Sequence, residues 1–167
     1  MVNLLRAFDG FDFRALLLNL GLALALVIIV NFGIFAFVGN SRASTQGGPL
    51  LGEIPGWFIG LVWTGLFVAL ATAKWRVQVY LPEPQASRAA ILIVALLIFC
   101  AIYPIYTAGL SKPIIGLVGN FATAAMAIWV AVAVFRVEPI AALAPIAVVA
   151  WVCFASVAIV DQARWLW

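Results

Sequence analysis

Divided at its charged positions, the chain falls into five long apolar runs: Ala15 to Val38, Gly56 to Val79, Ala89 to Ala108, Ile114 to Phe135 and Ile140 to Val160. Each is about 20 residues or longer, enough at ~1.5 Å per residue to cross ~30 Å of hydrocarbon as a helix. The runs are continuous and do not alternate with period two, and Ala, Leu and Gly dominate several of them, which points to helices over a β-barrel. The pattern predicts an all-α membrane protein, a single integral domain over residues 1–167 built as a five-transmembrane-helix bundle. Connections between runs are short except for Gly39 to Pro55, a loop rich in Gly, Ser and Pro with room to act as a lid.

The second run is marked at both ends. Pro55 and Trp57 open it, and Lys74, Trp75 and Arg76 close it, residues that favour the bilayer interface. The first run is longer than the ~7 to 15 residues of a signal-peptide core and no small-x-small cleavage site follows at once, so it is read as a retained span. Upstream, Phe8, Phe11 and Phe13 alternate with Arg6, Asp9, Asp12 and Arg14 in a short interfacial segment.

Composition agrees with lipid as the solvent. The chain is 67% hydrophobic and 9% charged, with a mean hydropathy of +1.21, too little polar surface to clothe a soluble globule. Arg6, Arg14, Lys74, Arg76, Arg88 and Arg136 fall on the side of the N-terminus, against Arg42, Lys112 and Arg164 opposite, which predicts a cytoplasmic N-terminus with the long loop outside. The net charge of +3 is spread over loops without the basic cluster that nucleic-acid binding needs.

Several chemistries lack their residues. There is no His, and Cys100 and Cys153 lie in separate spans without neighbouring Asp or Glu, so the chain offers no zinc, haem-ligating or iron-sulfur site of its own. A disulfide between thiols at that depth is not expected. Asp9, Asp12, Glu53, Glu83, Glu138 and Asp161 fall in loops or at span ends, where no proton relay would run. No nucleophile and base pair, P-loop or dinucleotide fingerprint is visible, and no catalytic residue is assigned. Binding, transport and assembly remain.

Of the seven tryptophans, Trp57, Trp75, Trp165 and Trp167 sit near span ends and read as interface anchors. Trp63, Trp129 and Trp151 lie deeper, where an indole either lines a pocket or simply packs; both readings stay open. Small residues recur every fourth position as Gly56, Gly60 and Thr64, as Gly65, Ala69 and Ala73, and as Gly119, Thr123, Ala127 and Ala131, which predicts tight helix seams, within the chain in preference to between chains. Pro82 and Pro84 separate spans two and three, and Pro113 and Pro139 suit first-turn positions. Pro104 and Pro145 read as interior and kink-forming. Asn19, Asn31 and Asn120 are expected to face other helices or water.

With five spans, a long first loop and this placement of tryptophan, the chain resembles the TspO/MBR family of tryptophan-rich sensory proteins, related to the mitochondrial translocator protein and peripheral benzodiazepine receptor. The resemblance covers nearly all of residues 15–165. It is carried by Pro55, Trp57, Trp63, Thr64, Leu66 and Phe67 in span two, by Trp151, Val152, Cys153, Phe154, Ala155 and Ser156 in span five, and by Pro104 in span three. The chain departs from the family at Phe67, where Tyr is usual, and at Ala95, Phe99 and Ile102, where Gln, Asn and Trp are usual. It departs again at Ala147, Val148 and Ile159, where Pro, Tyr and Asn are usual. Hydrogen-bonding groups have thus been exchanged for apolar ones.

The resemblance implies a bundle in the order 1, 2, 5, 4, 3, often a homodimer, in a bacterial inner membrane, with a cavity under the loop between spans one and two. It implies a receptor or transporter with a sensory or regulatory role that binds porphyrins, protoporphyrin IX or haem, or other flat hydrophobic molecules. Carried over by position, the ligand-binding set is Trp57, Trp63, Phe67, Phe99, Ala147, Trp151 and Ala155, with the indoles of Trp63 and Trp151 converging on one hollow. Sterol binding is a weaker implication, because Val160 takes the Tyr position of the span-five motif ahead of Arg164. Two other functions compete: a ligand-free assembly or regulatory partner acting through the small-residue seams, and light-dependent porphyrin breakdown.

Overall fold

Each of the five apolar runs forms one helix. The computed structural model describes residues 13–38, 45–48, 51–110 and 113–163. They build α1 (Phe13–Val38), β1 (Thr45–Gly48), β2 (Gly52–Ile54), α2 (Gly56–Tyr80), α3 (Gln85–Leu110), α4 (Pro113–Phe135) and α5 (Leu143–Ala163). All five helices are long and apolar enough to cross a membrane. Leu18, Ile28, Leu61, Ile91, Val118 and Phe121 all turn outward, as side chains do when the surroundings are acyl chains and there is no water to avoid.

The helices touch in the pairs α1–α2, α2–α5, α5–α4, α4–α3 and α3–α1, which is the ring order 1, 2, 5, 4, 3; α2 also meets α3. Two polar ties confirm which ends lie together. Arg76 Nε donates to Glu138 Oε1 at 2.8 Å, joining the end of α2 to the turn between α4 and α5. At the opposite end the N–H of Leu51 reaches Asp161 near the end of α5. The dry core is made by Leu70 and Val77 of α2, Ile93 and Leu96 of α3, Val130 and Val134 of α4, and Val148 and Val152 of α5, all fully buried.

The α4 stripe of Gly119, Thr123, Ala127 and Ala131 is buried inside the chain. It is therefore an internal seam and cannot be the face offered to a partner. Asn120 Nδ2 donates to Ser156 Oγ of α5 at 3.0 Å across it, and Ser156 Oγ donates to the Val152 carbonyl at 2.7 Å. In α2, among the described residues of the two small-residue stripes, Ala73 is buried while Gly60 and Gly65 are exposed, and a side-chain carbon added at either glycine would meet nothing within 4 Å.

Four expectations are corrected. The long connection is not wholly irregular, since Thr45–Gly48 and Gly52–Ile54 pair as an antiparallel hairpin that packs on α5. The last helix starts at Leu143, after Ile140 to Ala142 complete turns that follow Pro139. Pro139 is consequently outside the helix, and Pro145 occupies its first turn, where a missing N–H breaks no bond. Trp75 is no interface anchor: it is 6% exposed, turned into the bundle with its ring edge-on to Tyr80 at 6.2 Å, while Thr72 and Gln78 take the outward side of α2 at that level. Pro113 does open α4, and α3 runs on through Pro104. Arg6, Asp9, Asp12, Arg42, Lys112, Arg164, Trp165 and Trp167 lie outside the described residues, as do the side chains of Asn31, Glu53 and Pro104.

Candidate functional site

Helix α2 carries aromatic residues on two faces. Trp63 and Phe67, four apart, share one of them, with ring centroids 6.1 Å apart. Tyr103 of α3 closes on the same indole at 5.8 Å and 35°. Phe58, one and a half turns earlier, faces the other way and meets Trp151 of α5 edge-on at 6.3 Å. Trp151 in turn stacks on Phe154 at 5.5 Å and 30°, and Trp57 stands edge-on to Phe58 at 6.0 Å.

The expected site residues therefore divide. Trp151, Ala147 and Ala155 are spaced by four on one face of α5 and are all half-buried. Trp63 is half-buried and Phe67 buried on α2, while Phe99 is half-buried on α3. Trp57 is 72% exposed, the posture of an indole at the headgroup level. Trp129 is 59% exposed and looks away from the bundle. Among the described residues, Trp63 and Trp151 have no ring neighbour in common. Helix α2 stands between a cluster shared with α3 and another shared with α5.

Phe58 and Tyr103 were not singled out in the sequence; Phe154 entered only through the family resemblance and Asp161 only among the acidic residues at span ends, neither as a site residue. For Phe154 the signal was its place three residues after Trp151, on the same face of a helix. For Asp161 it was an acidic residue in the last turn of an apolar helix, where the macrodipole disfavours negative charge. Its side chain is 2% exposed, and its Oδ2 accepts the Leu51 N–H at 3.0 Å. The carboxylate thus ties the tip of the hairpin to the end of α5.

At the other end of the bundle two polar residues meet between α1 and α2. Lys74 Nζ donates to Asn19 Oδ1 and, at 3.1 Å, to Gln78 Oε1. Asn19 Nδ2 donates to the Ala15 carbonyl at 2.8 Å. A groove of about 470 Å³ opens beside Lys74, lined by α2 and α3. It holds none of the seven expected site residues, though Ala95, one of the departures from the family pattern, lies in it.

What this arrangement can do is bind apolar and aromatic surface. Rings at 5.5 to 6.3 Å in stacked, tilted and edge-on poses offer faces and edges to a flat partner. The family model described as TspO/MBR family matches residues 23–164. No curated protein and no solved structure matches the chain.

Proposed function

The chain belongs to the TspO/MBR family, and from that premise we propose that it is a membrane receptor or transporter for porphyrin-type or other flat hydrophobic ligands, with a sensory or regulatory role. The observation that supports this most is the set of Phe58, Trp151 and Phe154 between α2 and α5, at the side of the bundle where the hairpin packs on α5. Such a set holds a ligand by shape and stacking, with few polar contacts, which suits a tetrapyrrole plane. Trp63 and Tyr103, on the far side of α2, would offer a second and separate stacking surface. The reading carries with it a bacterial inner membrane, a cytoplasmic N-terminus, and a homodimer whose contact lies away from the buried α4 seam.

The test is titration of the detergent-solubilised protein with protoporphyrin IX, followed by tryptophan fluorescence quenching and by the porphyrin's own absorbance. Each ring contributes about 0.5–1.5 kcal/mol, so Trp151→Ala is expected to weaken binding about two- to tenfold. Trp63→Ala in the same chain is expected to reduce what binding remains, at the separate surface on the other side of α2. Saturable binding that is unchanged in the double variant, or no saturable binding at all, overturns the proposal.

A further inference from the structure

The groove between α2 and α3 is polar at one end and apolar at the other. Lys74, Gln78, Glu83 and Ser87 line its outer end, and Ala90, Ile91, Val94, Ala95 and Ile98 line the rest. The order follows from the antiparallel pairing of α2 and α3 around the Pro82 to Pro84 turn, which puts Gln78 near the level of Ser87 and Lys74 near that of Ile91. Ala90 is buried and makes a low floor, while Ile91 and Ile98 stand exposed as walls. From Ser87 to Ile98 the groove follows α3 for roughly 16 Å at ~1.5 Å per residue. That is about half of a ~30 Å hydrocarbon core, the depth of one leaflet.

The polar end carries both signs of charge. Lys74 belongs to a membrane-spanning helix, where an ionisable side chain needs a partner. Its two acceptors, Asn19 and Gln78, are neutral, and among the described residues no carboxylate pairs with it. Glu83 stands at the mouth on the interface side, with only the Ser87 hydroxyl donating to it, at 3.2 Å, among the described hydrogen bonds. A cation set inward, an anion set outward and an apolar trough one leaflet deep match one molecule in sequence: phosphate, ammonium headgroup and acyl chain.

We propose that this groove is a binding site for a single bilayer phospholipid with an amine-bearing headgroup, its phosphate on Lys74, its ammonium towards Glu83 and one chain along Val94, Ala95 and Ile98. The site lies at the end of the bundle opposite the hairpin and does not depend on the porphyrin reading. It gives the protein a fixed lipid in one leaflet, wedged between α2 and α3.

Native mass spectrometry of the full chain, released from micelles doped equally with phosphatidylethanolamine and phosphatidylglycerol, tests this. The wild type is expected to retain one phosphatidylethanolamine in preference to phosphatidylglycerol, and glycerophosphoethanolamine, which lacks the chains, is not retained. Lys74→Gln lowers retention of both lipids, and Ala95→Trp, filling the trough, removes it. Glu83→Gln, in an exposed turn where folding is not at stake, shifts the ratio towards phosphatidylglycerol by about two- to fivefold, the size of an ion pair at a water interface. A wild-type preference for phosphatidylglycerol, or a ratio unmoved by Glu83→Gln, overturns the proposal, as does undiminished retention in Ala95→Trp.

Discussion

The N–H of Leu51 donates to Asp161 Oδ2 at 3.0 Å, joining residues 110 positions apart in the chain. A buried carboxylate in the last turn of a helix lies at the end of the macrodipole that repels it, so donors from outside the helix decide whether it is tolerated. Leu51 is one such donor, and the hairpin is held in the same act. Hydrogen bonds to charged groups contribute about 1.5–3 kcal/mol, equivalent to about a 10- to 100-fold change in local opening. Asp161→Ala is therefore expected to speed amide exchange across residues 45–54 by that factor, and Asp161→Asn, which keeps a carbonyl acceptor, by less. Peptide-level hydrogen exchange reads this directly, and equal exchange in all three proteins would mean that the bond does not hold the hairpin.

Trp129 and Trp75 make opposite predictions about lipid contact. The first is 59% exposed on the outer face of α4 and the second 6% exposed inside the bundle. In bilayers whose acyl chains carry bromine, a contact quencher, Trp129→Phe is expected to remove a large share of the quenched fluorescence and Trp75→Phe almost none. The reverse ranking would mean that the outward face of α4 is covered by protein.

How much of this was legible in the sequence depended on whether the signal lay in one segment. The spans were, because crossing a bilayer demands a continuous apolar run that nothing else in a chain imitates. The α4 seam was, because Gly119, Thr123, Ala127 and Ala131 repeat on one helix face. The hairpin was not: Thr45–Gly48 and Gly52–Ile54 are short, Gly-rich and lack the apolar alternation that marks a strand. Trp75 misled because its neighbours Lys74 and Arg76 look interfacial, whereas its own side chain turns into the bundle and is 6% exposed. The lipid groove and the Phe58–Trp151 contact each combine side chains from two helices, and the spacing along either helix does not encode their meeting. Leu51 and Asp161 are the extreme case, lying 110 positions apart with three helices between them in the chain.

The α4–α5 seam separates a tolerated change from a harmful one. An added carbon at Gly116 would lie 2.9 Å from Ile159 Cδ1, the tip of a flexible side chain, so a small rotation relieves it. Replacing Gly by Ala in a helix also gains roughly 1 kcal/mol of propensity. Gly116→Ala is expected to leave stability unchanged or slightly raised. Ala127 is fully buried, and Ala127→Leu forces extra methylenes into a packed seam at about 1–3 kcal/mol. Thermal unfolding in detergent orders the two, and a dissociated complex with unaltered stability in Ala127→Leu would place that face on the outside after all.

Within the same seam, Asn120 is 1% exposed and only half satisfied. Its Nδ2 donates to Ser156 Oγ at 3.0 Å, while its Oδ1 is buried with no hydrogen-bond partner. Removing the two partners singly should therefore have unequal effects. Ser156→Ala strands the amide N–H beside an already stranded carbonyl, and a buried unsatisfied group costs about 1–3 kcal/mol. Asn120→Leu, which keeps the branched side-chain skeleton, removes both orphans at once and leaves Ser156 with its own bond to the Val152 carbonyl. Its net effect is expected within about 1 kcal/mol of the wild type, with stabilisation as the favoured sign. The comparison is made by reversible unfolding in mixed micelles. Should Asn120→Leu prove the more damaging of the two, the Asn120 carbonyl must be bonded in the membrane, by water or by a neighbouring chain, and the α4–α5 contact would be a polar joint in place of a dry one.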